Sequence, residues 1–399
     1  MNISAEIHNF LIRHYFNMNL AENLHEKLTV DMKKGLSAGG SDQAMIKAGS
    51  AAVREIKEGE SVIVIDAGGT NFRSGLVTKT KSGIEITDFE KTVMPATDCE
   101  LNKNQFYEAI AKNISRLKDK SNKISFCFSY AMAITEDGDG KIIRFSKEIK
   151  ASEAVGTYLG KELLAELKIQ GWKKITKINV LNDTTALLLS SFVEGSEKKW
   201  ASHIAFILGT GMNSAYIQDK QIIVTECGMF SALSQSNFDK TVCSRTSQPH
   251  QSLLEKMCSG AYLGAIATQM IKVAAKEGIF SPSYTIPESL ETKDFDAYFS
   301  KAPETLTSDE FKIKEMLYAI ITRSAKLSAE AIYAAYLCSD KEKGELPVCI
   351  TCNGSTFWKT PLLKETAEAQ LKALLQQPFE IIQIDDDITK GSFAAAFID

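Results

Sequence analysis

Apolar residues are arranged along this chain in two recognisable ways. Short unbroken runs occur at Val62-Ile63-Val64-Ile65 and at Ile204-Ala205-Phe206-Ile207-Leu208. Such runs predict strands buried on both faces. Each leads into a Gly/Thr turn, an Asn and a second strand-like run. The first passes through Asp66-Ala67-Gly68-Gly69-Thr70-Asn71 to Val77, the second through Gly209-Thr210-Gly211-Met212-Asn213 to Ile217. Both predict a β-hairpin with a glycine-dependent turn. Laying Gly69 on Gly211 brings Asn71 onto Asn213.

After the first hairpin the pattern predicts a strand near 83–89, a helix at 104–118, a strand at 124–130 and a helix at 152–167. A strand at 178–181 and a helix from Thr184 follow. After the second hairpin come a strand at 221–225, helices at 253–276 and 315–338, and a strand at 348–352. A helix at 361–375, a strand at 379–384 and a short helix at 391–397 complete the chain. Leu263, Ile266, Met270 and Val273 step by three and four, with Gly278 placed as a C-cap. The two halves thus repeat hairpin, strand, helix, strand, helix, strand, helix, with a helical insertion around 240–308 in the second. That alternation predicts an α/β protein of two lobes, with mixed sheets flanked by helices and a ligand cleft between the lobes.

The composition agrees: 399 residues are enough for two domains, and 44% apolar with 24% charged residues is that of a globular protein. A formal net charge of −4 provides no basic field for nucleic acid or an anionic membrane. Any polyphosphate would have to be held by local geometry. Apolar stretches fall short of the roughly 18–20 residues of a spanning helix. Glu6, His8, Arg13 and His14 break any signal-like core near the N-terminus. A cytoplasmic protein is the expectation. Cys349 and Cys352 lie three apart within an apolar strand pattern and so face opposite sides, which predicts reduced, buried thiols and no metal site.

The candidate chemistry sits at the ends of these elements. Gly68 and Gly69 permit a sharp turn that lets backbone N–H groups approach phosphate oxygens, and Asp66 beside them could hold Mg²⁺ directly or through water. Gly209, Thr210 and Gly211 offer a second loop of that kind. Each loop alone reads more readily as an ordinary hairpin turn. Asn182-Asp183-Thr184 stands where a strand meets a helix; Asp183 there suits a base for a substrate hydroxyl, and the triplet also suits an N-cap. Glu226 and Glu255 could accept hydrogen bonds from neighbouring hydroxyls, or could be solvated surface acids. No G-x-x-x-x-G-K-[ST] loop occurs.

Taken in order, Asp66 to Arg73 (DAGGTNFR), Asn182-Asp183-Thr184, Gly209 to Asn213 (GTGMN) and Leu254 to Tyr262 (LEKMCSGAY) resemble the motifs of the hexokinase/glucokinase family. So do Asn353-Gly354-Ser355 with Lys359 and Pro361, and Lys390 to Ala396 (KGSFAAA). The resemblance runs from about Val62 to the C-terminus. It implies two lobes of duplicated actin-like (ribonuclease H-like) topology: a small lobe of 59–182 plus 390–399 and a large lobe of 1–58 plus 183–389. It further implies phosphoryl transfer from ATP, with Mg²⁺, to the 6-hydroxyl of a hexose, glucose foremost. On this resemblance Asp183 is the general base, and Lys147 places positive charge near the transferring phosphoryl group. Ser129, Ser146, Lys147, Asn182, Asp183, Asn213, Glu226 and Glu255 line the sugar site. Gly68, Gly69, Thr70, Asn71, Arg73, Gly209, Thr210, Gly211, Gly354 and Ser355 serve the nucleotide, with Asp66 oriented on Mg²⁺.

The chain departs from the family pattern in places. Phe128-Ser129-Tyr130-Ala131 stands for F-S-F-P, Phe145-Ser146-Lys147-Glu148-Ile149 for W-T-K-G-F, and Ser252 for a glutamine. The sugar wall is therefore altered, and the choice of hexose stays open. Two other readings remain at this point: a kinase of the same superfamily for another hydroxylated substrate, and an actin-like ATPase or sugar sensor without transfer.

Overall fold

The computed structural model describes residues 3–37, 39–135, 137–146, 148–193, 198–342 and 345–398. The chain divides into two compact units. One is Met1–Ile46, Phe206–Tyr216 and Val224–Ile382; the other is Lys47–Ala205, Ile217–Ile223 and Gln383–Asp399. In chain order the first half contributes strands β1 (Ile46–Ser50), β2 (Ser61–Gly68), β3 (Asn71–Thr80), β4 (Gly83–Val93), β5 (Ile124–Phe128), β6 (Ala131–Ile134), β7 (Gly140–Arg144) and β8 (Ile178–Leu181). The second contributes β9 (Ser202–Leu208), β10 (Met212–Gln218), β11 (Gln221–Val224), β12 (Val348–Asn353) and β13 (Phe379–Ile382).

One sheet runs β4-β3-β2-β5-β8 and another β1-β11-β10-β9-β12-β13. Apart from the added β1, the second order repeats the first strand for strand, so the duplicated hairpin pattern is a duplicated sheet. In the first sheet β4, β3 and β2 pair antiparallel, while β5 and β8 continue parallel to β2. The unbroken apolar run of β2 follows from cover on both faces. Ile63 and Ile65 pack with Phe106, Ile110 and Phe126. Val62 and Val64, pointing the other way, pack with Phe393 and Phe397. Cys349 and Cys352 are buried free thiols on β12, as their spacing predicts.

The structure corrects several predicted helices. Residues 253–276 form two helices, Leu253–Cys258 and Gly260–Lys276, because Ser259 is extended and the Gly260 N–H turns to the Gly209 carbonyl (2.8 Å). At 152–167 a single 3₁₀ turn, Ser152–Ala154, precedes the helix Leu159–Ile169; Gly156 between them has φ +86°. The C-terminal helix starts four residues before Gly391, at Asp387–Ala395. Gly391 is therefore interior to the helix, where a Cβ would collide with the Ala186 carbonyl. Helices Ala5–Arg13 and Leu24–Ser37, and the β6–β7 hairpin, lie outside the predicted elements, although Ile7, Phe10 and Leu11, and then Leu24, Leu28 and Met32, recur at helical spacing. Among the described residues no helix is long and apolar enough to cross a membrane.

Candidate active site

In the unit built on the first sheet, β2, β5 and β8 are parallel, so their carboxyl ends share one edge. The register sets Asp66 beside Cys127 and Cys127 beside Leu181. Asp66, Ser129, Asn182 and Asp183 therefore emerge together at the carboxyl edge, where open α/β sheets bind ligands. Asn182 is the N-cap of the helix Asp183–Ser190, its Oδ1 accepting from Thr185 N–H (2.8 Å). Asp183 is thus not the cap. Its Oδ1 accepts from the Thr184 N–H (2.7 Å) and hydroxyl (3.1 Å), which hold the carboxylate in place.

Electrostatics mark this edge as strongly acidic. Burial pushes the Asp183 carboxyl above its ordinary value, against the two Thr184 hydrogen bonds, and the negative charge of Asp66 pushes in the same direction as burial. Asp66 is also raised by burial, opposed by Arg73, whose Nη1 donates to its Oδ2 (2.7 Å). The Cys127 thiol is raised well above its usual range, first by burial and then by Asp66, Asp183 and Asp387. Arg73, assigned to the nucleotide by resemblance, here pairs with Asp66 across the β2–β3 ladder, with a side chain 40% exposed.

The hairpin turn between β2 and β3 is a two-residue turn, with Gly68 opposite Asn71. Gly69 has φ +59°, which only glycine adopts at no steric cost. Its carbonyl accepts from the Tyr130 hydroxyl (2.7 Å), and the Thr70 carbonyl accepts from Met94 N–H (3.0 Å). Ser129 is half-buried and donates its N–H to Ala67 (2.9 Å). Ser146 lies on an exposed segment after Phe145, whose ring packs on Tyr130 at 5.5 Å. Lys147 lies outside the described residues.

The other unit gathers its own polar set. Asn213 and Glu226 clamp each other: Asn213 Nδ2 donates to Glu226 Oε1 (2.6 Å), and the Glu226 N–H donates to Asn213 Oδ1 (3.0 Å). Glu226 sits in the left-handed region (φ +55°), a strain that fixes where its carboxylate points. Glu255 Oε2 accepts from Met212 N–H (3.1 Å), and burial raises its carboxyl. Two glycines bracket Glu255. A Cβ on Gly211 would sit 2.9 Å from its Oε2, and one on Gly228 would sit 2.7 Å from the Met212 carbonyl. Gly228 was not singled out in the sequence; its only signal there is its place two residues after Glu226.

In the same unit the Gly209 carbonyl accepts from Gly260 N–H (2.8 Å) and the Thr356 hydroxyl (2.9 Å). Gly354, at φ +113°, lets the start of the Ser355–Lys359 helix lie directly on this turn; a Cβ there would collide with the Leu208 carbonyl. Beside it opens a cavity of about 700 Å³, lined by Thr210, Ser355 and Lys359 on one side. Gly260, Ala261, Gly264, Ala265 and Thr268, from one face of a helix, form another wall. Small residues at helical spacing make a flat wall suited to a planar ring. That spacing is visible in the sequence but reads there as ordinary helix packing.

Known proteins share this fold. Residues 6–193 and 203–398 match two family models, each described as Hexokinase. Hexokinase-2 of Equus caballus is 24% identical over 91% of this chain and 45% of the relative. Human hexokinase-2 is 25% identical over 88% of this chain and 43% of the relative. The chain thus spans about half the length of these relatives. Among solved structures, the hexokinase of Schistosoma mansoni complexed with glucose superimposes with a TM-score of 0.79 at 21% identity, covering 98% of each chain. A glucokinase of Streptomyces griseus in complex with glucose and AMPPNP gives 0.50 at 16% identity, over 84% of this chain and 98% of that one. At these identities the structural likeness is one of fold.

Proposed function

The chain belongs to the hexokinase family, and on that premise we propose that it transfers the γ-phosphate of ATP to the 6-hydroxyl of a hexose, glucose foremost. The observation that carries this reading is Asp183: a carboxylate at the carboxyl edge of parallel strands, relieved of capping by Asn182 and raised by burial. Asp183 accepts the proton of the sugar hydroxyl as its oxygen attacks phosphorus. General-base assistance of this kind is worth about 10²–10⁴-fold in rate. Ser129, Ser146 and Asn182 bind and orient the sugar, as do Asn213, Glu226 and Glu255. The Asn213–Glu226 clamp and the Met212–Glu255 bond fix acceptors in advance, so little ordering is required on binding.

Thr70, Asn71 and Arg73 serve the phosphates of the nucleotide together with Thr210, and the cavity beside Ser355 takes the adenosine. Lys147 supplies charge to the transferring group. The donor set also fits Mg²⁺, which is usually held by one or two carboxylates, waters and substrate phosphates, not by a protein cage. Asp66, whose Oδ2 also accepts from Arg73, would hold the ion through water, and the ion would neutralise phosphate charge.

A pH dependence follows with a definite sign. Asp183 works only as the carboxylate, so kcat/KM falls as pH drops through its raised pKa, above the ~3.9 of an ordinary aspartate. Thr184→Val removes a hydrogen bond that favours the charged form, so the acid limb moves to higher pH. A limb that stays put or moves down would separate it from Asp183. The substrate reading is tested by ADP release across glucose, mannose, fructose and glucosamine. Hexose-dependent ADP with the highest kcat/KM for glucose is expected; ADP release indifferent to every hexose would sink the proposal.

A further inference from the structure

The two glycine turns are held from behind in different ways. In the β9–β10 turn the Gly209 carbonyl is engaged by the Gly260 N–H and the Thr356 hydroxyl, both from elements of the same unit. In the β2–β3 turn the Gly69 carbonyl is engaged by one side chain, the hydroxyl of Tyr130 at 2.7 Å. A trans peptide unit is planar, with its C=O and the following N–H pointing opposite ways. Fixing the Gly69 carbonyl toward Tyr130 therefore fixes the Thr70 N–H away from it. Gly69 at φ +59°, with Thr70 not at positive φ, is the pattern of a type II′ turn. The peptide between those two residues is the one whose flip separates type II′ from type I′.

We infer that Tyr130 is a positioning residue for ATP. Its hydroxyl holds the Gly69–Thr70 peptide in the one orientation that presents the Thr70 N–H to phosphate. This rests on the kinase reading above and adds to it a residue from the sugar-side segment. Tyr130 is fixed for this task. The residue is 9% exposed and its ring packs against Phe128 (4.7 Å) and Phe145 (5.5 Å), so the hydroxyl cannot swing away without breaking aromatic contacts. Its backbone neighbour Ser129 is anchored to Ala67, one residue before Gly68, so turn and tyrosine move as one piece.

Tyr130→Phe removes the donor and keeps the ring. The dissociation constant of a non-hydrolysable ATP analogue with Mg²⁺, measured by calorimetry on the full chain, is expected to rise about three- to tenfold, the usual worth of one neutral hydrogen bond. Glucose affinity stays within about twofold, because no sugar contact is removed. Tyr107→Phe is the matched control, since it deletes a buried hydroxyl bonded to Thr157 Oγ1 (2.6 Å) elsewhere in the same unit. It should lower the melting temperature and leave nucleotide affinity unchanged. Unchanged analogue binding in Tyr130→Phe, or an equal loss in Tyr107→Phe, would overturn the assignment. Because binding is read without turnover, a protein that binds nucleotide and phosphorylates no sugar would refute the kinase reading and still show whether the Tyr130 hydroxyl positions the turn.

Discussion

Asp183→Ala is expected to lower kcat by about 10²–10⁴-fold and to leave glucose affinity within a few-fold of the unaltered protein. The separation follows from the division of labour at the start of its helix. Asn182 carries the cap, so the helix keeps its N-terminal hydrogen bond when Asp183 is shortened. Asn213, Glu226 and Glu255, the proposed sugar acceptors of the other unit, keep their mutual bonds. What disappears is a carboxylate whose charged form is disfavoured by burial and which therefore accepts a proton readily. Asp183→Asn should be as damaging, since it keeps the shape and loses the base. Turnover in either variant near that of the unaltered protein, measured by ADP release at saturating sugar, would leave Asp183 with a structural task only.

Gly354→Ala should produce the second large loss, on the nucleotide side. A methyl group there would collide with the Leu208 carbonyl, and the backbone at φ +113° is strained for any residue with a side chain. Overpacking costs about 1–3 kcal/mol and backbone strain a similar amount. Relief requires the Ser355 helix to move off the β9–β10 turn, and with it Thr356, which holds the Gly209 carbonyl. The KM for ATP is expected to rise at least about tenfold. Gly69→Ala provides the contrast, because the space around Gly69 is open and only the positive φ resists. It should cost only a few-fold, about 1 kcal/mol. The reverse order of the two effects would mean that the phosphate-side turns are not built as described.

Much of the framework was legible because burial on both faces writes unbroken apolar runs. The hairpins at Asp66 to Asn71 and Gly209 to Asn213, the strand β8 and the buried cysteines of β12 were all readable on that basis. Helix starts were less so. Leu253 to Lys276 carries one continuous apolar stripe, yet a backbone bond from Gly260 to Gly209, distant in sequence, breaks it. Gly391 looked like a helix start and is instead a point of close approach to Ala186. The N-terminal helices do carry a helical signal, with Ile7, Phe10 and Leu11, and then Leu24, Leu28 and Met32, buried at helical spacing, but they precede the duplicated hairpin pattern on which the predicted elements rest. In the candidate site, residue types and order were readable. The Asp66–Arg73 pair follows once the turn is a two-residue one, which sets these residues opposite each other, whereas the glycine bracket around Glu255 and the Tyr130 hydroxyl depend on which atoms meet in space, and no spacing rule encodes that.

The fate of the γ-phosphate tests the central claim most directly. With terminally labelled ATP, Mg²⁺ and glucose, the account predicts that label passes to glucose as the 6-phosphate, with ADP formed in equal amount. Without sugar, little label should be released as inorganic phosphate. Label released to water at the same rate with and without glucose, and none on the sugar, would contradict it and leave an ATPase on this fold.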